Sequence, residues 1–382
     1  MEKILYLIDH HIDTIGGSQK STKTIIFEMI KEKNEVGLFM SDGNKKEPIK
    51  NCSLSEKCYL YAMPERNKKT KIGYTFCKLS HLRKCINEFK PSIVHAQNPS
   101  AGIAIAILKR FHLIDSRIKC IFTDRGFFTE YSKMLQFIFK RVRNYWDCVI
   151  TTTERNMNEW KKYTNVKNIY CVSNVLDYDW FEYSPKIEKE LREKYNVPST
   201  FNVGFSGRFV EFKRWDTVMD ICRLIANVDN VKVVVALASA PEEGKSLESE
   251  EKYLKELKQI LGDKLLLFRN LNLEQMKEFY YIIDAFVLTS IHESFGRTLL
   301  EAMTKNCLVF GTNSGGVPNV INNSNYLFEV GDCKTITELL KKFAVDHDKT
   351  NREKEMFLKY VDENFKPNVM QKNLSDVYSK IK

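Results

Sequence analysis

The feature that most constrains this chain is an alternation, run twice, of short aliphatic or β-branched segments with amphipathic helical ones. In the first series the strand-like segments are 4–8, 35–40, 93–95, 120–123, 148–152 and 169–172, and the helical patterns are 21–31, 74–89, 100–111 and 131–146. Parallel strands need a crossover long enough to hold a helix, so this alternation predicts βαβ units around a parallel sheet. Segment 177–200 breaks the pattern with Pro185, a charged stretch at 186–194 and Pro198, and reads as a linker carrying one short helix. A second series follows, with strands at 202–206, 231–236, 264–268, 285–288 and 308–311 and helices at 216–225, 250–261, 273–281 and 295–304. The 382 residues suffice for two such α/β domains, each with its own core. Two doubly wound domains in series predict a cleft between them at the carboxyl ends of the strands, where open α/β sheets bind ligands.

Composition narrows the functional classes. Hydrophobic residues at 43% and charged residues at 28%, with 16 Gly and 9 Pro, describe a folded chain rather than a disordered or collagenous one. The ten cysteines form no C-x-x-C pair and mostly sit in apolar runs, which predicts reduced, buried thiols. No Cys/His spacing suits zinc, so no metal is expected. The apolar run at 4–8 is short of a signal-peptide core, and the longest, 101–108, ends at Lys109 and Arg110, far below the roughly 20 residues that cross a bilayer. A cytoplasmic protein is expected. The net charge of +10 is lopsided: residues 1–180 hold 30 Lys/Arg against 19 Asp/Glu, and residues 181–382 hold 29 against 30. The basic half points to a negatively charged partner, whether a membrane surface, an anionic acceptor or nucleic acid.

Three loops carry candidate chemistry. Gly207 and Arg208 follow the strand 202–206, with Lys213 just before a helix, so two cations stand where a diphosphate could be held by charge-assisted hydrogen bonds. A solvated turn is the plainer reading of the same residues. The stretch Glu293, Ser294, Phe295, Gly296, Arg297, Thr298 through Glu301 follows the strand 285–288 and enters a helix, whose free backbone N–H groups would meet an anion without a metal. Glu301 could reach the hydroxyls of a ribose from there, although two glutamates eight apart are also what solvated carboxylates look like. Gly16 and Gly17 follow the first strand. They match neither a G-x-G-x-x-G fingerprint nor a P-loop, and read as a turn or as a tight loop whose amides approach a phosphate.

Taken together, these residues resemble the retaining glycosyltransferases of family 4, with the GT-B fold of two Rossmann-like doubly wound domains facing across a cleft. Gly207-Arg208-Phe209-Val210-Glu211-Phe212-Lys213 resembles the family's G-R-L-x-x-x-K. Ser294-Phe295-Gly296 with Leu299-Leu300-Glu301-Ala302-Met303 resembles its E-G-F-G-x-x-x-x-E-A-M, Glu293 being the first glutamate, and Gly315-Gly316-Val317-Pro318 its G-G-x-P. Val172-Ser173-Asn174-Val175 is similar to the P-N-G segment at the domain junction, with Ser173 and Val175 replacing Pro and Gly. The resemblance implies an acceptor-binding domain at 1–176, to which a C-terminal helix near 366–382 returns, and a nucleotide-sugar-binding domain at 177–365. It implies that Arg208 and Lys213 bind the donor diphosphate, that Glu293 faces the donor sugar, that Glu301 binds the ribose, and that amides near Arg297 and Thr298 meet phosphate.

It further implies a metal-independent, retaining transfer of a hexose or N-acetylhexosamine from a nucleotide diphosphate sugar, with no cofactor and no nucleic acid. The acceptor would be a hydroxyl of a glycan, lipid-linked saccharide or protein. Two departures stand out: Ser294 replaces Gly, and Asp124-Arg125-Gly126 stands where many members have a histidine after the fifth strand. Arg125 cannot be a general base. It reads either as a ligand for donor or acceptor oxygens, with Asp124 beside it, or as half of a buried ion pair with Asp124. A non-catalytic GT-B relative that binds an acceptor or a partner enzyme is the competing function, and a sugar-nucleotide epimerase a third. In the predicted helix 131–146, the stripe Tyr131, Met134, Leu135, Ile138, Val142 and Tyr145 is expected to face the core. The opposite face, Lys133, Phe137, Lys140 and Asn144 with Arg141 beside them, could rest on anionic lipid and place the protein peripherally on the inner face of the cell membrane, or be a solvated or glycan-binding basic face.

Overall fold

The computed structural model describes residues 1–14, 16–41, 52–64, 70–197, 200–241 and 246–381; Pro198 of the linker lies outside them. Two units emerge, Met1–Val175 with Pro367–Lys382, and Leu176–Lys366. In the first, seven strands, β1 (Lys3–Ile8), β2 (Glu35–Met40), β3 (Tyr59–Ala62), β4 (Ile93–Ala96), β5 (Lys119–Asp124), β6 (Cys148–Thr151) and β7 (Ile169–Cys171), form a parallel sheet in the order 3-2-1-4-5-6-7. β1 is apolar at nearly every position because both its faces are covered. Leu5 and Leu7 join Phe122, Phe139 and Trp160 on one side, while Ile4, Tyr6 and Ile8 join Ile26, Met29, Met370, Leu374 and Tyr378 on the other.

The crossovers are α1 (Gly17–Lys31), α2 (Lys71–Phe89), α3 (Pro99–Arg110), α4 (Lys133–Val142) and α5 (Glu154–Thr164). α1 begins four residues earlier than its apolar pattern, so Gly17 is a first-turn residue and Gly16 its N-cap rather than both lying in a loop. The helix expected at 131–146 is broken. Ser132 caps α4 by accepting from the Leu135 amide, and residues Arg143–Tyr145 tighten into a 3-10 turn. Its expected core stripe holds except at one position: Tyr131, Leu135, Ile138, Val142 and Tyr145 pack on the core, whereas Met134 is 74% exposed and Phe139 is buried in its place. Phe139 takes that place because it meets an aromatic cluster of Phe122, Phe128, Trp146 and Trp160, which a single-helix periodicity does not reveal.

The second unit holds α6 (Pro185–Lys194), then β8 (Phe201–Arg208), α7 (Trp215–Ile225), β9 (Val231–Ala238), α8 (Leu247–Leu261), β10 (Leu265–Arg269), α9 (Leu273–Tyr281), β11 (Ala285–Leu288), α10 (Arg297–Met303), β12 (Leu308–Thr312), α11 (Val317–Ile321), β13 (Leu327–Phe328), α12 (Cys333–Val345) and α13 (His347–Asn364). Its six strands run parallel in the order 10-9-8-11-12-13. β8 is longer than its apolar run, so Gly207 and Arg208 are its last residues rather than the loop after it. A buried ion cluster anchors the amino end of the sheet: Asp284 accepts from Arg192 at 2.7 Å, from Lys354 at 3.0 Å and from the Asn202 amide at 2.9 Å. The last helix, α14 (Pro367–Lys380), belongs to the first unit, where Tyr378 bonds to Tyr6 at 2.9 Å and to His95 at 2.7 Å. All ten cysteines are free thiols, and among the described residues no helix is long and apolar enough to cross a membrane.

Candidate functional site

Strand order reverses between β8 and β11, and the carboxyl ends of these two neighbours are where a doubly wound sheet opens to ligand. There the chain builds a site from three loops. The loop after β8 ends in a 3-10 turn, Glu211–Lys213, and Lys213 Nζ donates to Glu293 Oε2 at 2.8 Å across 80 residues of sequence. The backbones are sewn together beneath this pair: Thr289 Oγ1 donates to the Lys213 carbonyl at 2.8 Å, and the Ile291 amide to the Phe212 carbonyl at 2.9 Å. A third loop, after β12, fixes Glu293 from the other side. The Gly316 amide donates to the Glu293 carbonyl at 2.7 Å, and Ser314 Oγ to the Ile291 carbonyl at 2.6 Å. Gly315, at φ +59°, admits this approach; a Cβ there would stand 2.2 Å from the Glu293 carbonyl oxygen, a backbone atom that cannot swing aside.

Glu301 is held separately, accepting from Arg297 Nε and from the Tyr280 hydroxyl, each at 3.1 Å. Burial and the Glu301 carboxylate push the Tyr280 phenol far above its ordinary range, so it stays a donor. Gly296 lies at φ +87° and caps α10, Ser294 is exposed, and Phe295 is buried, its side chain 6.3 Å from Phe365. Phe295 therefore offers a ligand its backbone only. Arg208 lies over the Phe212 ring at 5.8 Å, and its carbonyl accepts from Trp215 Nε1 at 2.8 Å. Ser206, Lys213, Thr289 and Ser290 line a pocket of about 210 Å3. Four buried polar atoms around these loops, Ser206 Oγ, Ser290 Oγ, Arg297 Nη2 and Thr298 Oγ1, have no protein partner.

In the first unit, Asp124 ends β5 and Arg125 follows it, but the two do not pair. The Asp124 carboxylate is enclosed and takes four neutral donors: the Tyr131 hydroxyl at 2.5 Å, Trp160 Nε1 at 2.6 Å, Asn156 Nδ2 at 3.1 Å and the Gly126 amide at 3.2 Å. Arg125 turns instead to two neutral amides, donating to Gln97 Oε1 at 2.7 Å and to Asn174 Oδ1. Burial pulls the guanidinium down to about 10. Next to it, His95 is bonded to Tyr378 and to Thr123 Oγ1, each at 2.7 Å, and burial, with Arg125 adding to it, lowers its imidazole to about 3. His95 is thus neutral at any physiological pH.

Two families account for most of the chain: "Glycosyltransferase Family 4" matches residues 15–180 and "Glycosyl transferases group 1" matches residues 187–357. The chain belongs to the GT-B glycosyltransferases of the family 4 type. It is 26% identical over 326 residues to the capsular polysaccharide biosynthesis glycosyltransferase CapM of Staphylococcus aureus, covering 80% of this chain and 81% of that one. It is 27% identical over 180 residues to the N-acetyl-alpha-D-glucosaminyl L-malate synthase of Bacillus anthracis, covering 45% and 43%. The fold is shared with Anabaena HepE, solved in complex with UDP and glucose (TM-score 0.73, 18% identity, 99% and 100% of the chains), and with a sucrose-phosphate synthase of Thermosynechococcus elongatus (0.80, 14%, 100% and 99%).

Within this glycosyltransferase, the residues that sequence singled out fall into three places. Lys213 and Glu293 meet directly, with Gly207 and Arg208 on the strand beside them; Arg297 and Glu301 meet on α10; Gly16, Gly17, Asp124 and Arg125 belong to the first unit. Tyr280, Gln97, Asn156 and Trp160 were missed as partners. Tyr280 looked like an ordinary apolar position of α9, and no local spacing links it to Glu301, 21 residues on. Among the described residues, no three His, Cys, Asp or Glu side chains gather as for a metal.

Proposed function

We propose that the chain is a retaining, metal-independent glycosyltransferase that moves a hexose or N-acetylhexosamine from a nucleotide diphosphate sugar to a hydroxyl of a glycan, lipid-linked saccharide or protein, in surface polysaccharide or glycoconjugate synthesis. The observation that carries it is the Lys213–Glu293 pair at the carboxyl ends of β8 and β11, locked by the Gly316 amide. On binding, the donor diphosphate takes Lys213 and Arg208, and the freed Glu293 carboxylate takes hydroxyls of the sugar. The ion pair is exchanged for two ligand contacts, and neither charge is ever buried alone. Glu301, oriented by Arg297 and Tyr280, takes the ribose hydroxyls. Stabilisation of the leaving diphosphate by Arg208, Lys213 and the Arg297 and Thr298 amides supplies most of the rate.

The UDP complexes of HepE support a UDP-sugar, and the likeness to CapM supports a polysaccharide setting. The relatives' names extend from capsular polysaccharide to a small hydroxy acid, so the family alone does not fix the acceptor. Release of nucleoside diphosphate from a panel of UDP- and GDP-sugars, in EDTA, tests the reading, and the anomeric proton of the product tests retention. No turnover of any donor, or turnover restored only by Mn2+ or Mg2+, rejects it in favour of a binding relative or a metal enzyme.

The protein also docks on anionic lipid through α4, in this reading. Met134 and Phe137 are 74% and 56% exposed, among the exposed cations Lys133, Lys140 and Arg141. Such a face combines insertion of apolar side chains with attraction to headgroups. Binding to anionic vesicles should be salt-sensitive and should fall when Lys133, Phe137 and Lys140 are replaced together. Equal binding by that variant would leave a soluble acceptor.

A further inference from the structure

We infer that the pocket at Arg125 receives a small anionic group, a carboxylate or phosphate, carried by the acceptor. This rests on the glycosyltransferase reading for the word acceptor, and on the first unit's own geometry for the anion. Arg125 lines a small pocket with Ser21, His95, Thr123, Thr152, Ser173 and Asn174, closed on one side by Met370 and Leu374 of α14.

The charges define what fits. Among the described residues no carboxylate lies within ion-pairing distance of Arg125, because the one beside it, Asp124, is spent on four neutral donors. Gly126 helps keep it so: a Cβ there would stand 2.5 Å from the Tyr131 hydroxyl, so only glycine lets Tyr131 reach Asp124. Arg125 Nε and Gln97 Nε2 are both buried and both without a partner. They are donors on two side chains already bonded to each other, so the acceptors of hydrogen bonds are used up and the donors are left over. Ser21, Thr152 and Ser173 add hydroxyls. An anion would supply the missing acceptor atoms and the missing counter-charge together, and a planar or tetrahedral oxyanion matches the guanidinium fork.

The test is calorimetric titration of the full chain with inorganic phosphate, methyl glucuronoside and the neutral methyl glucoside, with UDP titrated into the same preparations. Phosphate or the glucuronoside should bind the wild type at least about tenfold more tightly than the methyl glucoside and lose about tenfold or more in Arg125→Gln, with Arg125→Lys between them. Which of the two binds better identifies the source of the anion. Equal affinity for charged and neutral probes, or for wild type and Arg125→Gln, overturns the inference. If Arg125→Gln does not fold, the preference of the UDP-saturated wild type, whose diphosphate site is filled, for the glucuronoside over the methyl glucoside decides alone. Failure of the wild type to bind either UDP or GDP, titrated in the same way, would instead defeat the glycosyltransferase reading, which separates the two failures.

Discussion

The two units handle charge in opposite ways. At the carboxyl ends of β8 and β11, opposite charges from different loops pair with each other, Lys213 with Glu293 and, on α10, Arg297 with Glu301. At the end of β5, adjacent opposite charges are kept apart, Asp124 on neutral donors and Arg125 on neutral amides. A self-paired site must open to bind. It suits a donor that brings both a diphosphate anion and hydroxyl groups. A segregated site keeps an unneutralised cation, and suits a partner that brings an anion alone. Pairing thus separates a site that exchanges contacts from one that completes them.

The sharpest way to break this contrast is at Glu293. Glu293→Ala should lower kcat for sugar transfer by about 100-fold or more, near 2.7 kcal/mol of transition-state stabilisation, with little effect on thermal unfolding. Near wild-type turnover would remove Glu293 from the reaction. Next in size, Arg208→Ala and Lys213→Ala should each weaken nucleoside diphosphate binding by about 1.5 to 3 kcal/mol, the scale of a hydrogen bond to a charged group, whereas Arg125→Gln should leave that binding alone. Equal losses in all three variants by titration would erase the division of labour.

Glycines sharpen the comparison further. Gly315→Ala meets both a positive φ and the Glu293 carbonyl, and should cost about 1 to 3 kcal/mol of stability with a drop in kcat. Gly331→Ala also meets a positive φ, +83°, but nothing within 4 Å, and should cost only about 1 kcal/mol with activity intact. Matching denaturation midpoints for the two would mean that the loop after β12 does not hold Glu293. The last effect is in the first unit. His95 is held at about 3, below its ordinary 6.5, so the folded state takes up fewer protons than the unfolded one. Its contribution is present above pH 6.5 and is lost as pH falls towards 3; between pH 6.5 and 5 about 2 kcal/mol should go, at 1.36 kcal/mol per unit. Urea melts of His95→Gln should show a shallower acid slope than wild type.

How much of this was legible in sequence follows from the range of the interactions. Both parallel sheets could be read because strands buried on two faces are continuous apolar runs, as in Lys3–Ile8 and Ala285–Leu288. α5 could not, since its buried positions are Asn156, Trp160 and Thr164, and beyond them only Met157 and Tyr163 are not plainly polar; no apolar stripe marks it. β3 alternates too briefly, over four residues, to stand out. In the second unit the paired residues were each visible, because Arg208, Lys213, Glu293 and Glu301 sit in short motifs beside strand ends. Their pairing was not, being set by loops from separate strands. In the first unit even the identity of the partners was hidden: adjacency suggested Asp124 with Arg125, and only the fold shows Trp160, Gln97 and Asn174 taking them apart.

The exchange at Lys213 and Glu293 can be measured most directly by titrating UDP, which has the diphosphate but no sugar, into wild type, Lys213→Ala and Glu293→Ala in EDTA. Loss of Lys213 should weaken UDP binding by about tenfold or more, while loss of Glu293, which competes for that lysine in the empty site, should leave it unchanged or tighter. Weaker UDP binding in Glu293→Ala, or wild-type binding in Lys213→Ala, would contradict it.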